Sequence, residues 1–143
     1  MKVNSKILIA DDEPEVLAIM AKKIKAQGYK VVTAKDGQDA WEKIQDTSPD
    51  VILLDINMPK LDGFGVLKAL REHPPSDKWQ PVVIISTRGE LEDVQKGLSL
   101  EAEQYLMKPC AIEDILKSIR RMISLIPQHK TPREMDDDIQ LIE

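Results

Sequence analysis

Short apolar runs alternate along this chain with longer segments in which apolar residues recur at helical spacing. The short runs are 7–10, Lys30–Ala34, Val51–Leu54, 82–85 and Gln104–Met107. Those at 7–10, 51–54 and 82–85 are nearly continuous, as strands covered on both faces require. The intervening segments carry Leu17, Met20 and Ile24, then Ala40, Trp41 and Ile44, then Leu67 and Leu70, then Leu91, Val94 and Leu98. The longest stripe is Ile112, Ile115, Leu116, Ile119, Ile123 and Ile126. Spacings of three, four and seven place such residues on one helical face. Pro14 suits a first helical turn, and Gly28 suits the end of that helix.

Strands alternating with helices predict a parallel sheet with helices on both faces. Right-handed crossovers restrict the topology. The common doubly wound solution for five strands is the order 2-1-3-4-5, an α/β, flavodoxin-like (βα)5 fold. Strands 1 and 3 are then neighbours at the switch point, where the ligand crevice opens beyond the carboxyl ends. Asp11 and Asp12 follow the first run, Asp55 the third, Ser86 the fourth and Lys108 the fifth. The topology, argued from periodicity, brings them to one edge. The pattern assigns residues 1–126 to one domain and 127–143 to a solvated acidic tail or linker, which carries Asp136, Asp137 and Asp138. Whether Ile139, Leu141 and Ile142 begin another element is open.

A length of 143 residues matches one domain and suffices for a core. The net charge of −5 argues against non-specific binding to nucleic acid, which is driven by Lys and Arg. No run is long enough to span a bilayer, and the N-terminus lacks a signal-peptide pattern. The single cysteine, Cys110, allows no internal disulfide and fits a reducing compartment. The expectation is a cytoplasmic domain, either stand-alone or cut from a longer chain, with neither a membrane nor a nucleic-acid partner of its own.

Three carboxylates brought close together repel and need positive charge beside them. Mg²⁺ fits, being hard, oxygen-seeking and commonly held by one or two carboxylates plus a phosphate. No His or Cys cluster suggests zinc; His73 and His129 fall in a loop and in the tail. A carboxylate beside a metal can attack phosphorus to give an aspartyl phosphate, a transfer governed by positioning and charge neutralisation. Asp55 is read as the nucleophile. Asp11 and Asp12 hold the metal, Lys108 supplies a flexible point charge, and Ser86 supplies a hydroxyl. Each has an ordinary reading alone: helix cap, turn residue or solvated lysine. Their joint placement at four strand ends carries the argument.

These residues resemble the receiver domain of bacterial response regulators over about residues 5–126. The resemblance rests on Asp11-Asp12-Glu13, on the stretch from Leu54-Asp55 through Asn57-Met58-Pro59-Lys60 to Asp62-Gly63, on Ile85-Ser86, and on Tyr105-Leu106-Met107-Lys108-Pro109. It implies that Asp55 accepts a phosphoryl group from a sensor histidine kinase or phosphotransfer protein, and that the domain is a signalling switch rather than an enzyme. It implies Mg²⁺ on Asp12, Asp55 and the Asn57 carbonyl, with Asp11 bound directly or through water. Ser86 is then the hydroxyl that moves to the phosphoryl group, and Tyr105 the aromatic that turns inward behind it. The family's Lys-Pro bond, here Lys108–Pro109, is typically cis. The change is read at the face of helix 4, strand 5 and helix 5 by an effector protein or a fused output domain, or in a phosphorylation-dependent homodimer.

The chain departs from the family pattern at three places. Thr87 stands where Ala or Gly is usual, which bears on access to Asp55. Glu101-Ala102 replaces a frequent Gly-Ala, and Cys110 a common Phe. Asn57 and Arg88 occupy positions that tune dephosphorylation, and Arg88 is placed to close over the phosphoryl group. The alternative function is a phosphorylation-independent binding module of the same fold, against which the complete acidic set and Lys108 argue. A Mg²⁺-dependent phosphatase would need a second acid two residues after the nucleophile, and that residue is Asn57.

Overall fold

The computed structural model describes residues 5–128. Its elements run β1 (Lys6–Ala10), α1 (Pro14–Lys25), β2 (Lys30–Ala34), α2 (Gly37–Thr47), β3 (Val51–Leu54), α3 (Gly63–Glu72), β4 (Val82–Ser86), α4 (Leu91–Ser99), β5 (Gln104–Met107) and α5 (Ile112–Leu125), closed by a 3₁₀ turn at Ile126–Gln128. The strands form one parallel sheet in the order β2-β1-β3-β4-β5, the predicted doubly wound (βα)5 arrangement. Residues 129–143, with His129 and nearly all of the acidic tail, lie outside the described residues.

The near-continuous strands are explained by their two covered faces. Alternate residues point to opposite sides of a sheet. Leu8, Ala10, Ile52, Leu54, Val82 and Ile84 pack with Ala40, Ile44, Phe64, Leu67 and Leu70 from α2 and α3. Ile7, Ile9, Val51, Leu53, Val83 and Ile85 pack on the other side with Met20, Ile24, Ile115 and Ile119 from α1 and α5. Burying each of the valines, leucines, isoleucines and Phe64 contributes about 1.5–3 kcal/mol. Pro14 opens α1, as its place in the sequence predicts, and Gly28 takes a left-handed φ of 96° three residues past its end.

The α4 stripe lies on a helix, as its spacing predicts, but faces mostly outward. Leu91 is 70 % exposed and Leu98 50 % exposed, and only Val94 of the three is half-buried. The buried residue of the helix is Gly97. A Cβ there would lie 2.8 Å from Ile84 Cδ1 and 3.2 Å from the Tyr105 ring, so the helix seats on β4 and β5 through the glycine and turns its leucines outward.

The amino edge of the sheet is held by a cluster that the sequence did not announce. Arg71 of α3 donates to the carbonyls of Gln80 (2.9 Å) and Glu101 (3.2 and 2.9 Å) and pairs with the Glu103 carboxylate at 2.7 Å. The Val82 amide donates to the same carboxylate at 3.1 Å. Glu101 sits at φ 69°, a conformation that disfavours side chains and favours glycine. The turn takes a glycine-type backbone with a side chain in place, and Arg71 grips the Glu101 carbonyl. Burial pushes the Glu103 carboxyl up to about 7 against the pull of Arg71.

Two predictions follow from this packing. A Cβ on Gly63 would meet the Asp55 carbonyl oxygen at 2.2 Å and the Ile56 Cα at 2.8 Å, both rigid backbone. Gly63→Ala should therefore lower unfolding stability by about 1–3 kcal/mol in urea titration, opposite in sign to a Gly-to-Ala change inside an unobstructed helix. The second concerns Glu103, whose folded carboxyl keeps its proton to about 7 while an unfolded glutamate releases it near 4.3. The folded state binds the extra proton in that window, so this stabilisation is present at low pH and lost as pH rises through 7. Glu103→Gln should flatten the fall in unfolding midpoint that wild type shows between pH 5 and pH 8.

Candidate functional site

At the carboxyl edge of the sheet, backbone hydrogen bonds carry the strand pairing one residue further. The Asp11 amide donates to the Ala34 carbonyl (3.1 Å), and the Asp55 amide to the Ala10 carbonyl (3.0 Å). Parallel pairing of β1 with β3 sets Ala10 opposite Leu54, which leaves Asp11 and Asp55 side by side just beyond them. The Lys108 amide donates to the Ser86 carbonyl at 2.8 Å, tying the end of β5 to the end of β4. Lys108–Pro109 is cis, as the resemblance implies. The loop after β3 is held down by the Gly63 amide, which donates to the Ile56 carbonyl, and by the Asp62 carboxylate, which caps α3 at the Gly65 amide.

The structure brings Asp11, Asp12, Asp55 and Lys108 together. Carboxylate oxygens of the three aspartates lie within 4.8 Å of one another, with Asp11 and Asp55 buried and Asp12 exposed. Lys108 Nζ donates to Asp11 Oδ2 at 2.7 Å and to Asp55 Oδ2 at 3.1 Å. The other oxygen of each buried carboxylate accepts a backbone amide, Glu13 N–H on Asp11 (2.9 Å) and Ile56 N–H on Asp55 (2.7 Å). Neither Asp11 nor Asp12 is the cap of α1, whose N-cap is Glu13. Burial raises the Asp55 carboxyl above the usual range, with Lys108 opposing and the Asp11 charge adding to the shift. Burial also pulls on the Lys108 ammonium, but its two carboxylate partners outweigh that and hold it above the ordinary lysine value.

Three hard oxygen donors with one ammonium between them have the composition that a small divalent cation takes. The cluster could hold such an ion, with Asp12 on the open side.

Ser86 is fully buried at the end of β4, where its Oγ accepts the Arg88 amide at 3.2 Å. It does not cap α4, whose N-cap is Glu90. Tyr105 is half-buried over Gly97, and its hydroxyl donates to the Arg88 carbonyl. Burial, with the nearby Asp93 charge, raises its phenol above the ordinary value. Asn57 is exposed. Thr87 is exposed and lines, with Glu13, Lys108 and Pro109, a cleft of about 490 Å³ beside the site. Cys110 packs against the α1–α5 core, and burial raises its thiol.

The Arg88 side chain is engaged at the rim of the site. Its guanidinium pairs with Asp93 of α4 at 2.8 Å, reaches Asn57 Oδ1 at 3.5 Å and lies 5.5 Å from the Phe64 ring centre. Sequence reasoning missed Asp93 and Gly63. Asp93 reads as a first-turn acid of α4, and only the bend from Ser86 to Glu90 sets it against Arg88. Gly63 was legible as part of a motif, but not as a contact with the Asp55 backbone.

The response regulator receiver domain model matches residues 7–120. A probable transcriptional regulator, ycf27, of Guillardia theta is 36 % identical over 123 residues, covering 86 % of this chain and 47 % of that one. The transcriptional regulatory protein PrrA of Mycobacterium leprae is 36 % identical over 120 residues, covering 84 % and 50 %. The chain thus spans about half the length of these relatives. The Francisella response regulator 1452 receiver domain superposes with a TM-score of 0.77 at 32 % identity, covering 83 % of this chain and 96 % of that one. The Vibrio cholerae chemotaxis protein CheY4 gives 0.77 at 34 % identity, covering 83 % and 98 %. Among the described residues no helix is long and apolar enough to cross a membrane. With the family model matched over most of its length and its five-stranded sheet superposing on solved receiver domains, the chain belongs to the receiver domains of two-component response regulators.

Proposed function

We propose that this receiver domain is a phosphoacceptor switch in which Asp55 takes a phosphoryl group from the phosphohistidine of a sensor kinase or phosphotransfer protein. The observation that carries the reading is the Lys108 ammonium seated between the buried carboxylates of Asp11 and Asp55. Asp55 Oδ attacks phosphorus, the bond from phosphorus to the donor nitrogen breaks, and the imidazole leaves with the electron pair. The domain acts on itself and turns over no other substrate. Phosphoryl transfer of this kind depends on alignment and neutralised charge. The burial that raises the Asp55 carboxyl leaves it poorly solvated, so little water must be displaced before attack. Lys108 can stay on Asp11 while following the new phosphoryl oxygens, because an ammonium carries three donors on a flexible stem.

Asp11, Asp12 and Asp55, with the Asn57 carbonyl, are the residues that would hold Mg²⁺. When bound, the ion would neutralise phosphoryl oxygens during transfer. Ser86 offers its hydroxyl to the added group. Tyr105, whose hydroxyl donates to the Arg88 carbonyl, follows it inward. The surface that changes is that of α4, β5 and α5, where Leu91, Leu98 and Met107 stand exposed. An effector protein or a fused output domain reads it. Support for the latter is the length of the curated relatives, which are named as transcriptional regulators and are about twice as long as the match. Residues 1–126 form the receiver unit in this reading, with 127–143 as tail or linker.

A phosphorylation-independent binding module would need neither the acceptor nor its lysine. Acetyl phosphate with Mg²⁺ separates the two. Intact mass should show wild type gaining one phosphoryl group and Asp55→Asn gaining none, and equal labelling of both would remove Asp55 from its role. The metal reading has its own check. Mg²⁺ should raise the thermal midpoint of wild type, through binding to the folded state alone, and leave that of the Asp11→Asn, Asp12→Asn double variant unmoved.

A further inference from the structure

Arg88 connects the acceptor edge to α4 through five contacts. Its amide donates to Ser86 Oγ at 3.2 Å, and its carbonyl accepts the Tyr105 hydroxyl. Its Nη1 lies 3.5 Å from Asn57 Oδ1, two residues from the acceptor, and its Nη2 lies 2.8 Å from Asp93 Oδ1. The guanidinium rests over Phe64, whose ring also carries the Lys96 ammonium at 4.6 Å. Asp93 is the better buried partner of the ion pair, with a side chain 14 % exposed against 40 % for Arg88. The carboxylate is therefore the enclosed partner and the guanidinium the one open to solvent.

We propose, resting on the phosphoacceptor reading of Asp55, that Asp93 is a positioning residue that holds the Arg88 guanidinium at the mouth of the site, and that a phosphoryl group on Asp55 competes with it for that guanidinium. A carboxylate offers one negative charge. A phosphoryl group offers nearly two and three acceptor oxygens, to which a guanidinium binds in a forked geometry. Arg88 already spans from Asp93 to Asn57 at the rim, so it needs to swing only across the face of Phe64. When it does, the first turn of α4 loses its tie to the loop after β4, while Lys96 keeps the middle of the helix against Phe64. The loosened end is the one that carries Leu91.

An acid in a first helical turn also interacts favourably with the helix dipole. That role alone would be indifferent to Arg88, and a double-mutant cycle separates the two. Beryllofluoride, a phosphoryl mimic, is titrated at fixed Mg²⁺ by calorimetry and ¹⁹F NMR into wild type, D93N, R88A, the D93N/R88A double variant and D93E. Asp93→Asn should bind roughly two- to fivefold more tightly, the size of a half-exposed ion pair released. Arg88→Ala should bind more weakly, and adding D93N to it should change nothing. Asp93→Glu should return to wild-type affinity. An equal gain from D93N in both backgrounds would make Asp93 a distant charge only and overturn the proposal, as would no gain in either. Wild type failing to bind beryllofluoride at all would overturn the phosphoacceptor reading itself, and this proposal with it.

Discussion

The carboxyl edge of this sheet depends on one ammonium group placed between two buried carboxylates. Asp11 and Asp55 are brought together by backbone pairing of β1 and β3, not by mutual attraction. Two anions so placed and largely out of water repel, and each also loses hydration. Lys108 offsets both costs at 2.7 and 3.1 Å. The remaining lone pairs are met by the Glu13 and Ile56 amides, so the charges are hydrogen-bonded as well as paired. Burial still wins at Asp55, whose carboxyl stays raised. The site thus sets one ammonium against three carboxylates and leaves Asp12 exposed on its open side.

The rest of the fold is arranged around keeping that edge in register. Gly63 lets α3 start against the backbone of Asp55 and Ile56. At the opposite edge, Arg71 joins α3 to the entry of β4 and to the turn before β5 through Gln80, Glu101 and Glu103. Both ends of the β3–β5 half are thus clamped. Among the described helices α4 is held least by apolar burial, since it presents Gly97 to the sheet and its leucines to solvent. Its attachment relies on polar and cation–ring contacts through Arg88, Asp93, Lys96 and Phe64. Contacts of that kind respond to a new charge, whereas a packed aliphatic face would not.

Much of this was legible from the chain. Continuous apolar runs marked strands buried on both faces, and their alternation with helical stripes led to the observed strand order. The order in turn placed Asp11, Asp12, Asp55, Ser86 and Lys108 on one edge. The α4 stripe marked its helix but not its covering, because Leu91, Val94 and Leu98 have a helical period whether they face a core or solvent. Periodicity reports that a face is apolar, not what covers it. Arg71 with Glu103, separated by 32 residues, and Arg88 with Asp93, separated by a bend, left no periodic trace.

The sequence by itself determined the element order, the sheet topology and the identity of the charged residues at the strand ends, because burial on two faces and right-handed crossovers leave few other arrangements. Only the tertiary structure decided which oxygen meets which nitrogen. It set Lys108 on two carboxylates, turned Arg88 toward Asp93, and gave Glu101 a left-handed turn under the grip of Arg71. Those outcomes depend on side-chain directions and loop paths over a few ångströms, where neighbours distant in sequence compete for the same donors. Pattern along a chain carries no information at that scale.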